Sequence, residues 1–268
     1  MTLNMYAAYW IQVSGGSVLA ADELASPSFV PGSASSNVFN DYDGVGDIQA
    51  IIRRHPTRAV DNYLLDTVSS DASIKTALVF PPIIYGEGEG PFNRRSIQIP
   101  SLARATIGLG RGLRIGAGEN RWGNVHVRDV GRIFALLAKA AAEGNNSKGI
   151  WGKDGLYLTG VGEIVRQLSF PIFFYKKNRH QLIVGGKSFS DISSRVAAAA
   201  KEQGAIPNSD VAELAKDEYD AHLPHGKVLF GTNARGAATR ARKLLGWEPR
   251  EVSLEDDIPR ATAEECGK

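Results

Sequence analysis

The sequence predicts an α/β fold built around a parallel β-sheet. Two apolar segments rich in β-branched residues, Ala8–Val13 and Ile74–Phe80, have the composition of buried strands. Between and after them, short apolar runs alternate with amphipathic segments of about ten or more residues. Because this alternation is typical of parallel sheets covered by helices, we expect a layered α/β architecture.

The first half of the chain supplies most of these elements. The first strand ends at the turn 14–17, and residues 25–36, rich in Ser and Pro, form a loop. Helical spacing marks residues 47–52 and a helix that starts near Pro56. After the second strand, we expect a helix at 99–109, a strand at 113–115, an extended segment at 124–127, a helix at 130–142 capped by Asp129, and a strand at 157–159.

The C-terminal third begins with an unusual segment. Residues 168–175 are strongly apolar, and the basic stretch 176–180 follows at once. Since this block interrupts a junction between a loop and a helix, we interpret residues 164–187 as a non-native insert of the translated-intron kind. Beyond it we expect helices at 187–203, 210–219 and 234–245, the last ending at Gly246 with Pro249 soon after.

The bulk composition limits the classes of function. The 268 residues are 43% hydrophobic and 22% charged, with a net charge of +2, so no strong field favours nucleic acid. The single cysteine, Cys266, excludes an internal disulfide and a thiolate metal site, and it fits a reducing compartment such as the cytoplasm. No run of about 18 apolar residues predicts a membrane-spanning helix. The spacing of His222 and His225, without a nearby third ligand, predicts no metal site.

Four local patterns occur in an order that resembles a known protein family. They are the strand with a serine-rich turn at 13–17, the strand with a Pro-rich exit at 76–86, VHVRDV at 125–130, and LLGWEP at 244–249. Together they resemble extended, atypical short-chain dehydrogenases/reductases of the NAD-dependent epimerase/dehydratase kind. The chain is most similar in flavour to the nucleoside-diphosphate-sugar-epimerase-like proteins of fungi. The resemblance covers residues 11–258.

This resemblance implies a partial Rossmann-like parallel sheet with a smaller C-terminal substrate lobe. In the family, about four strands precede the one that ends in the serine turn, so we expect an N-terminally truncated chain with these strands missing. Residues 1–160 then form the C-terminal half of an NAD(P)-binding domain, interrupted by a substrate-lobe segment at 86–124, and residues 161–268 form the C-terminal substrate lobe. Because such a sheet exposes the edge of its first strand, we also expect self-association.

The family implies NAD or NADP as the cofactor, but its pyrophosphate-binding glycine pattern has no counterpart here. The pattern G-x-G-x-x-G must follow a strand and open a helix. The glycines at 108–112 follow a helix, those at 86–90 are interleaved with two glutamates, and those at 14–17 open no helix of the required spacing. We interpret all three groups as turn glycines.

The Tyr-x-x-x-Lys pair of the family is also missing. In the family the lysine lowers the pKa of the tyrosine and holds the ribose hydroxyls. No tyrosine here has lysine four residues later, and the matching helix carries Arg54 and Arg58 instead. Arg58 can hold ribose hydroxyls through its forked donors, but it cannot donate a proton at neutral pH. The position of the family's catalytic hydroxyl falls on Gly15, with Ser14 and Ser17 on either side.

The candidate site residues follow from these patterns and from the resemblance. Several have a simpler structural explanation: turn formation for the serines, aromatic packing for Tyr85, and a satisfied core or loop position for His126. We assign a catalytic role to Ser14, Ser17 and Tyr85, a cofactor contact to Arg58, Pro82 and Ile83, and a substrate contact to Asn93, Arg95 and His126.

Two functions remain open on the sequence alone. The first is an NAD(P)-dependent oxidoreductase or epimerase-like enzyme that acts on a carbonyl or secondary alcohol of a small or sugar-like metabolite, with hydride passing beside Pro82 and Ile83. The second is a non-catalytic protein, either a cofactor sensor of the NmrA kind or an inactive truncated product. The missing motifs favour the second, and the family favours the first. We expect a small-molecule partner and neither nucleic acid nor membrane.

Overall fold

The structure is a computed structural model that describes residues 7–71, 73–161 and 186–267. Its strands in chain order are β1 Ala8–Val13, β2 Phe39–Asn40, β3 Ile74–Phe80, β4 Ile83–Tyr85, β5 Gly112–Arg114, β6 Arg121–Trp122, β7 Asn124–His126, β8 Leu156–Leu158, β9 Lys187–Ser188, β10 Val211–Glu213 and β11 Gly236–Ala237. Its helices are α1 Ala21–Ala25, α2 Val45–Arg54, α3 Ala59–Ser70, α4 Gln98–Leu109, α5 Val127–Ala142, α6 Phe189–Glu202, α7 Tyr219–His222, α8 Gly226–Leu229, α9 Arg240–Leu245 and α10 Leu254–Cys266.

The largest sheet has three parallel strands in the order β1–β3–β8. β1 and β3 run in register from the pair Ala8 and Ile74 to the pair Val13 and Val79. Within the described residues, β1 forms one edge of this sheet. The prediction of an α/β protein with parallel strands is therefore confirmed, and both strands that the apolar runs predicted are present. The prediction that both are buried holds for most of β3 and is wrong for β1, where Trp10 and Val13 are exposed because β1 is an edge strand in the described sheet.

Four smaller strand pairs join segments that are far apart in sequence. The pairs β4–β7, β5–β10 and β2–β11 are parallel, and β6–β9 is antiparallel. The β4–β7 pair is important for the site, because it fixes the chain just after Pro82 against the segment that leads into α5. None of these four pairs contains β1, β3 or β8, so in the described chain they are separate short sheets beside the three-stranded one.

The hydrophobic core extends from the sheet to the C-terminal helix. One cluster of buried side chains includes Phe80 of β3, Trp122, Phe230 and Ile258 of α10. Burial of each large side chain contributes roughly 2–3 kcal/mol. Trp122 donates its indole N–H to the carbonyl oxygen of Thr232 at 2.7 Å, so its burial leaves no unpaired donor. The helices α4, α6 and α10 pack against one another beside this core.

The N-terminus of α5 differs from the prediction that Asp129 caps it. The helix begins at Val127, and His126 is the capping residue, with its Nδ1 atom accepting from the N–H of Arg128 at 3.2 Å. Asp129 lies in the first turn, where its buried carboxylate accepts the backbone N–H groups of Arg250 at 2.9 Å and Glu251 at 3.2 Å. The carboxylate therefore joins α5 to a distant segment, a role that local spacing does not reveal.

Two C-terminal helix predictions were wrong in part. Within 210–219 the chain first forms β10, which pairs with β5, and only the end is helical. Within 234–245 the chain forms β11, which pairs with β2, and α9 begins only at Arg240. Gly246 ends α9 as predicted, with φ of 64° in the left-handed region. In both places, non-local strand pairing overrides helical spacing.

The predicted insert at 164–187 lies outside the described residues except for its last two positions. Lys187 belongs to β9 and pairs with Trp122, and its Nζ atom lies 2.5 Å from a carboxylate oxygen of Glu255. The end of that segment is thus part of the described fold. The division into a domain at 1–160 and a lobe at 161–268 stays a prediction.

Candidate active site at the end of the first strand

The serine turn lies at the carboxyl end of β1, directly against the exit of β3. The N–H of Ser14 donates to the carbonyl oxygen of Val79 at 2.7 Å, and the N–H of Gly16 donates to that of Pro81 at 2.7 Å. A Cβ atom at Gly16 would lie 2.9 Å from Cα of Pro82, so only glycine permits this approach. Ligands of open α/β sheets bind at the carboxyl ends of the strands, so this turn is a candidate ligand site.

Arg58, the residue that precedes α3, extends its side chain to the serine turn. Its Nη2 atom donates to the carbonyl oxygen of Gly15 at 3.1 Å and to Oγ of Ser14 at 3.5 Å, and its Nη1 atom donates to Oγ of Ser17 at 3.5 Å. The structure therefore brings together the three predicted residues Ser14, Ser17 and Arg58. Because each serine accepts from a guanidinium that has no lone pair, each hydroxyl keeps its own O–H to donate to a ligand oxygen.

Asp61 holds Arg58 in this position, and sequence analysis missed it. Its Oδ2 atom lies 3.0 Å from Nε of Arg58, and the aspartate side chain is only 5% exposed while that of Arg58 is 22% exposed. The carboxylate occupies one side of the guanidinium, and the two Nη atoms face the serine turn. The signal was present in the sequence, because an acidic residue three positions after an arginine lies on the same helix face.

Pro82 and Ile83, the other two predicted cofactor contacts, differ in their surroundings. Pro82 is partly exposed and borders the serine turn, and Cβ atoms at Gly123 and Gly160 would lie 3.4 and 3.5 Å from its Cγ atom. Ile83 is fully buried in the core, and its N–H donates to the carbonyl oxygen of Gly123 at 3.2 Å. Pro82 therefore lies beside the serine turn, whereas the side chain of Ile83 is packed in the hydrophobic core.

Tyr85 does not join the serine turn in this structure. Its side chain is buried at the end of β4, and its hydroxyl donates to the carbonyl oxygen of Val252 at 2.8 Å. Burial raises the pKa of Tyr85 well above its ordinary value, with nearby carboxylates such as Asp129 acting in the same direction. Its ring also makes an edge contact with His126, at 5.3 Å between centroids. In this structure the Tyr85 hydroxyl is therefore bonded to the backbone, and a catalytic role for Tyr85 stays a prediction.

His126 lies next to Tyr85 and is closely packed. Its Nδ1 atom accepts from the N–H of Arg128, so in the neutral ring the proton is on Nε2. A Cβ atom at Gly86 would lie 2.2 Å from Nε2, and φ of Gly86 is +84°. Desolvation lowers the pKa of His126, so the ring is neutral at pH 7. His126, the last residue of β7, is thus packed against Gly86 and the ring of Tyr85.

Asn93 and Arg95 lie in the loop between β4 and α4. The Oδ1 atom of Asn93 accepts the N–H of Arg95 at 3.1 Å, which fixes the backbone on which the arginine side chain is carried. Arg95 lines a cavity of about 260 Å³ together with Arg94, Arg260 and Glu264. The first residue that lines this cavity, Gly86, is four positions after Pro82 in the sequence. One wall of the cavity is formed by α10, whose contribution the sequence did not reveal.

The described part of the chain has neither a cluster of metal-binding side chains nor a membrane-spanning helix. No group of three or more His, Cys, Asp or Glu side chains there has the arrangement of a metal site. Among the described helices, none combines the length and the hydropathy that crossing a membrane requires.

The sequence relatives are distant. No protein-family profile matches the chain. It is 26% identical over 247 residues to an oxidase, ucsJ, of an Acremonium species, which covers 90% of this chain and 64% of that protein. It is 23% identical over 224 residues to the uncharacterized protein YLL056C of Saccharomyces cerevisiae, covering 83% of this chain and 58% of that protein. The chain thus spans less than two thirds of the length of both relatives.

Solved structures give the fold more clearly. PbgP3 of Burkholderia pseudomallei aligns with 97% of this chain and 66% of its own, at 13% identity and a TM-score of 0.55. UDP-glucuronic acid 4-epimerase of Bacillus cereus, solved with UDP-glucuronic acid and NAD, aligns with 97% of this chain and 61% of its own, at 13% identity and a TM-score of 0.53. The chain therefore aligns over nearly its whole length with the fold of these two proteins.

Proposed function

We propose that this chain carries the substrate-facing part of an NAD(P)-dependent oxidoreductase or epimerase-like enzyme, which acts on a carbonyl or secondary alcohol of a small or sugar-like metabolite. One observation carries the proposal: Arg58 is hydrogen bonded to both serines of the turn at the carboxyl end of β1. The two serine hydroxyls and the Arg58 guanidinium then lie together at the turn beside Pro82, where the oxygen of a bound carbonyl can be held.

The residues of the cluster fit one end of a nicotinamide dinucleotide. Arg58 presents forked donors suited to ribose hydroxyls, and the absence of a side chain at Gly16 lets the turn lie directly against Pro82. The turn after β1 carries Gly15 and Gly16 and leads into a 3-10 helix at Gly16–Ala20 and then into α1. Its glycines lack the G-x-G-x-x-G spacing that holds a pyrophosphate, so only a ribose contact is proposed, at Arg58. When bound, the nicotinamide would supply or accept the hydride.

The serines carry the remaining chemistry in this proposal. The O–H of Ser14 or Ser17 donates to the substrate oxygen, while Arg58 stabilises negative charge that develops there during reduction. The proton that the oxygen finally takes comes from the serine hydroxyl, which regains one from solvent. Arg58 keeps its charge throughout, because a guanidinium group does not release a proton in proteins.

A second candidate is a cofactor sensor of the NmrA kind, or an inactive product, without catalysis. The position of Tyr85 favours it, because the hydroxyl is bound to Val252 and the ring is buried. The cluster of Ser14, Ser17 and Arg58 then offers only serine hydroxyls, which are weak acids, as a source of the proton. The enzyme and the sensor both bind the cofactor, but only the enzyme turns over a substrate. The inactive product does neither.

Cofactor titration of the full chain distinguishes these candidates. Trp10, 41% exposed on β1, reports on the adjacent turn when NADH or NADPH is added and intrinsic fluorescence is followed. We expect saturable quenching that Arg58→Ala weakens by about tenfold or more, from the loss of charge-assisted hydrogen bonds. Arg53→Ala is the matched control, because Arg53 pairs with Asp66 on the surface.

Turnover is then measured with a panel of small aldehydes, ketones and sugar-like carbonyls, following cofactor absorbance. Oxidation of NAD(P)H that depends on Ser14 and Ser17 supports the enzyme. Saturable binding without turnover over the whole panel supports the sensor. Flat titrations with both cofactors contradict the enzyme and the sensor alike and leave the inactive product.

A further inference from the structure

The cavity beside α10 has an unusual concentration of guanidinium groups. It lies between the segment that follows β4, the first turn of α4, and α10, and three of its lining residues are Arg94, Arg95 and Arg260. Its volume of about 260 Å³ is below the range of about 300–1,000 Å³ typical of pockets for drug-sized ligands. The cavity therefore has room for a small molecule and not for a nucleotide.

Two buried carboxylates hold the arginines from behind. Glu265, whose side chain is 2% exposed, contacts Arg95, and Asp257, at 4% exposed, lies 2.8 Å from Nε of Arg260. The same aspartate accepts the N–H of Gly86 at 3.2 Å. The arginine side chains themselves remain 35% and 41% exposed. Each guanidinium is thus fixed on its protein side, an arrangement that reduces the entropy lost when its other donors bind a ligand.

One donor of this group has no acceptor. The Nε atom of Arg95 is buried, and no hydrogen-bond acceptor for it lies within the described part of the chain. A buried donor without a partner costs about 1–3 kcal/mol, so the protein alone does not satisfy the donors of Arg95. This observation indicates a ligand that accepts hydrogen bonds.

The carboxylates at the rim of the cavity are held less firmly. Glu87, 56% exposed, pairs with Arg94 at 2.9 Å, and Glu264, 39% exposed, pairs with Arg260. Solvent-exposed pairs of this kind contribute little to stability. An anion that enters the cavity can therefore replace the rim carboxylates on Arg94 and Arg260 without disturbing the buried contacts of Asp257 and Glu265.

From these contacts we infer that the cavity binds the carboxylate or phosphate group of a small acidic metabolite through Arg94, Arg95 and Arg260. The forked donors of arginine match both anions, which share a bidentate arrangement of oxygen atoms. The inference names the substrate class of the enzyme proposed above and rests on that function in this respect. Binding of the acidic group needs no cofactor, so it can be measured separately.

The test is a binding measurement on the full chain without nicotinamide, using inorganic phosphate and succinate as probes. Calorimetry and thermal unfolding at constant ionic strength, with chloride as the reference anion, give the affinity. We expect saturable binding that Arg260→Gln and Arg94→Gln each weaken by about tenfold or more. Arg195→Gln is the matched control, because Arg195 makes a similarly exposed pair with Asp191 on α6, away from the cavity.

A gain of affinity provides the second arm. Glu264→Gln removes a rim carboxylate that competes with the ligand, and we expect it to tighten binding of the probe by about two- to fivefold. A merely structural role of the cluster predicts no such gain. Binding of phosphate alone identifies a phosphate monoester, and binding of succinate alone identifies a carboxylic acid.

Two results overturn the inference. The first is that neither probe binds saturably at concentrations up to about 50 mM. The second is that the variants Arg260→Gln, Arg94→Gln and Arg195→Gln all bind the probe with the same affinity. Since Arg94 and its partner Glu87 are both on the surface, Arg94→Gln keeps the test valid even where Arg260→Gln unfolds the chain. Failure here with intact cofactor binding contradicts only the acidic substrate. Failure of the cofactor titration with intact anion binding contradicts only the redox function.

Discussion

The buried carboxylate of Asp41 allows a quantitative prediction about the stability of this fold. Its side chain is completely buried, and it accepts three backbone N–H groups: those of Thr239 and Arg240 at 2.8 Å on Oδ1, and that of Leu158 at 2.9 Å on Oδ2. One carboxylate thereby joins the end of β2 to β8 and to the beginning of α9. Substitution of Asp41 by alanine leaves all three donors without an acceptor.

The size of the effect follows from two opposing contributions. At about 2 kcal/mol for each buried donor left unpaired, three donors cost about 6 kcal/mol. The substitution also relieves the burial of a charge, which raises the pKa of Asp41 from 3.8 to about 7. That interval corresponds to roughly 4 kcal/mol at a pH where the carboxylate is ionised. We therefore expect Asp41→Ala to lower the free energy of unfolding by about 2 kcal/mol at pH 8, and Tm by about 4 °C for a chain of this size.

The pH dependence has a definite sign. Because the pKa in the folded protein lies above that in the unfolded chain, the stability due to this group is fully present below about pH 4 and is lost as pH rises through about 7. The destabilisation caused by Asp41→Ala should thus be roughly 3 kcal/mol larger at pH 5 than at pH 8.

Urea unfolding at pH 5 and pH 8, followed by circular dichroism, measures both quantities. Asp43→Ala is the control, because Asp43 is exposed only two residues away and should change the free energy of unfolding by less than about 0.5 kcal/mol. Equal effects of the two substitutions, or a loss of stability in Asp41→Ala that is the same at both pH values, would refute this reasoning.

Two further predictions concern the region between β4 and α10. Gly86→Ala should lower the free energy of unfolding by about 2–4 kcal/mol, because φ of +84° and the ring of His126 both exclude a Cβ atom, whereas Gly90→Ala, with open space around it, should have little effect; chemical denaturation compares them. Tyr85→Phe should cost only about 1 kcal/mol, from the hydrogen bond to Val252, and leave NADH affinity unchanged in the fluorescence titration; a parallel loss of cofactor binding would restore Tyr85 to the active site.

The sequence was most informative where a structural element depends on local pattern. The β-branched runs Ala8–Val13 and Ile74–Phe80 became the strands they predicted, and the helix expected to start near Pro56 is α3. Gly246 ended α9 because a left-handed residue after a helix strongly favours glycine. Propensity, periodicity and capping are properties of a few neighbouring residues, so they can be read without the fold.

The errors share a different cause. Residues 236–237 were assigned to a helix, but they pair with β2 nearly 200 positions earlier in the chain, and 211–213 pair with β5. Asp129 was assigned to a cap, but its carboxylate binds the backbone at Arg250 and Glu251. Each of these contacts joins distant parts of the chain, and local spacing carries no record of its partner.

The candidate site divides in the same way. The amino-acid sequence by itself determined that serines follow an apolar strand and that arginine, not lysine, precedes the next helix, since both facts concern adjacent positions. Only the tertiary structure decided that Arg58 lies on those serines, that Tyr85 is buried away from them, and that α10 brings Arg260 to Arg95. Hydrogen bonds and charge pairs depend on distances of a few ångströms, and packing fixes those distances between residues that the sequence keeps far apart.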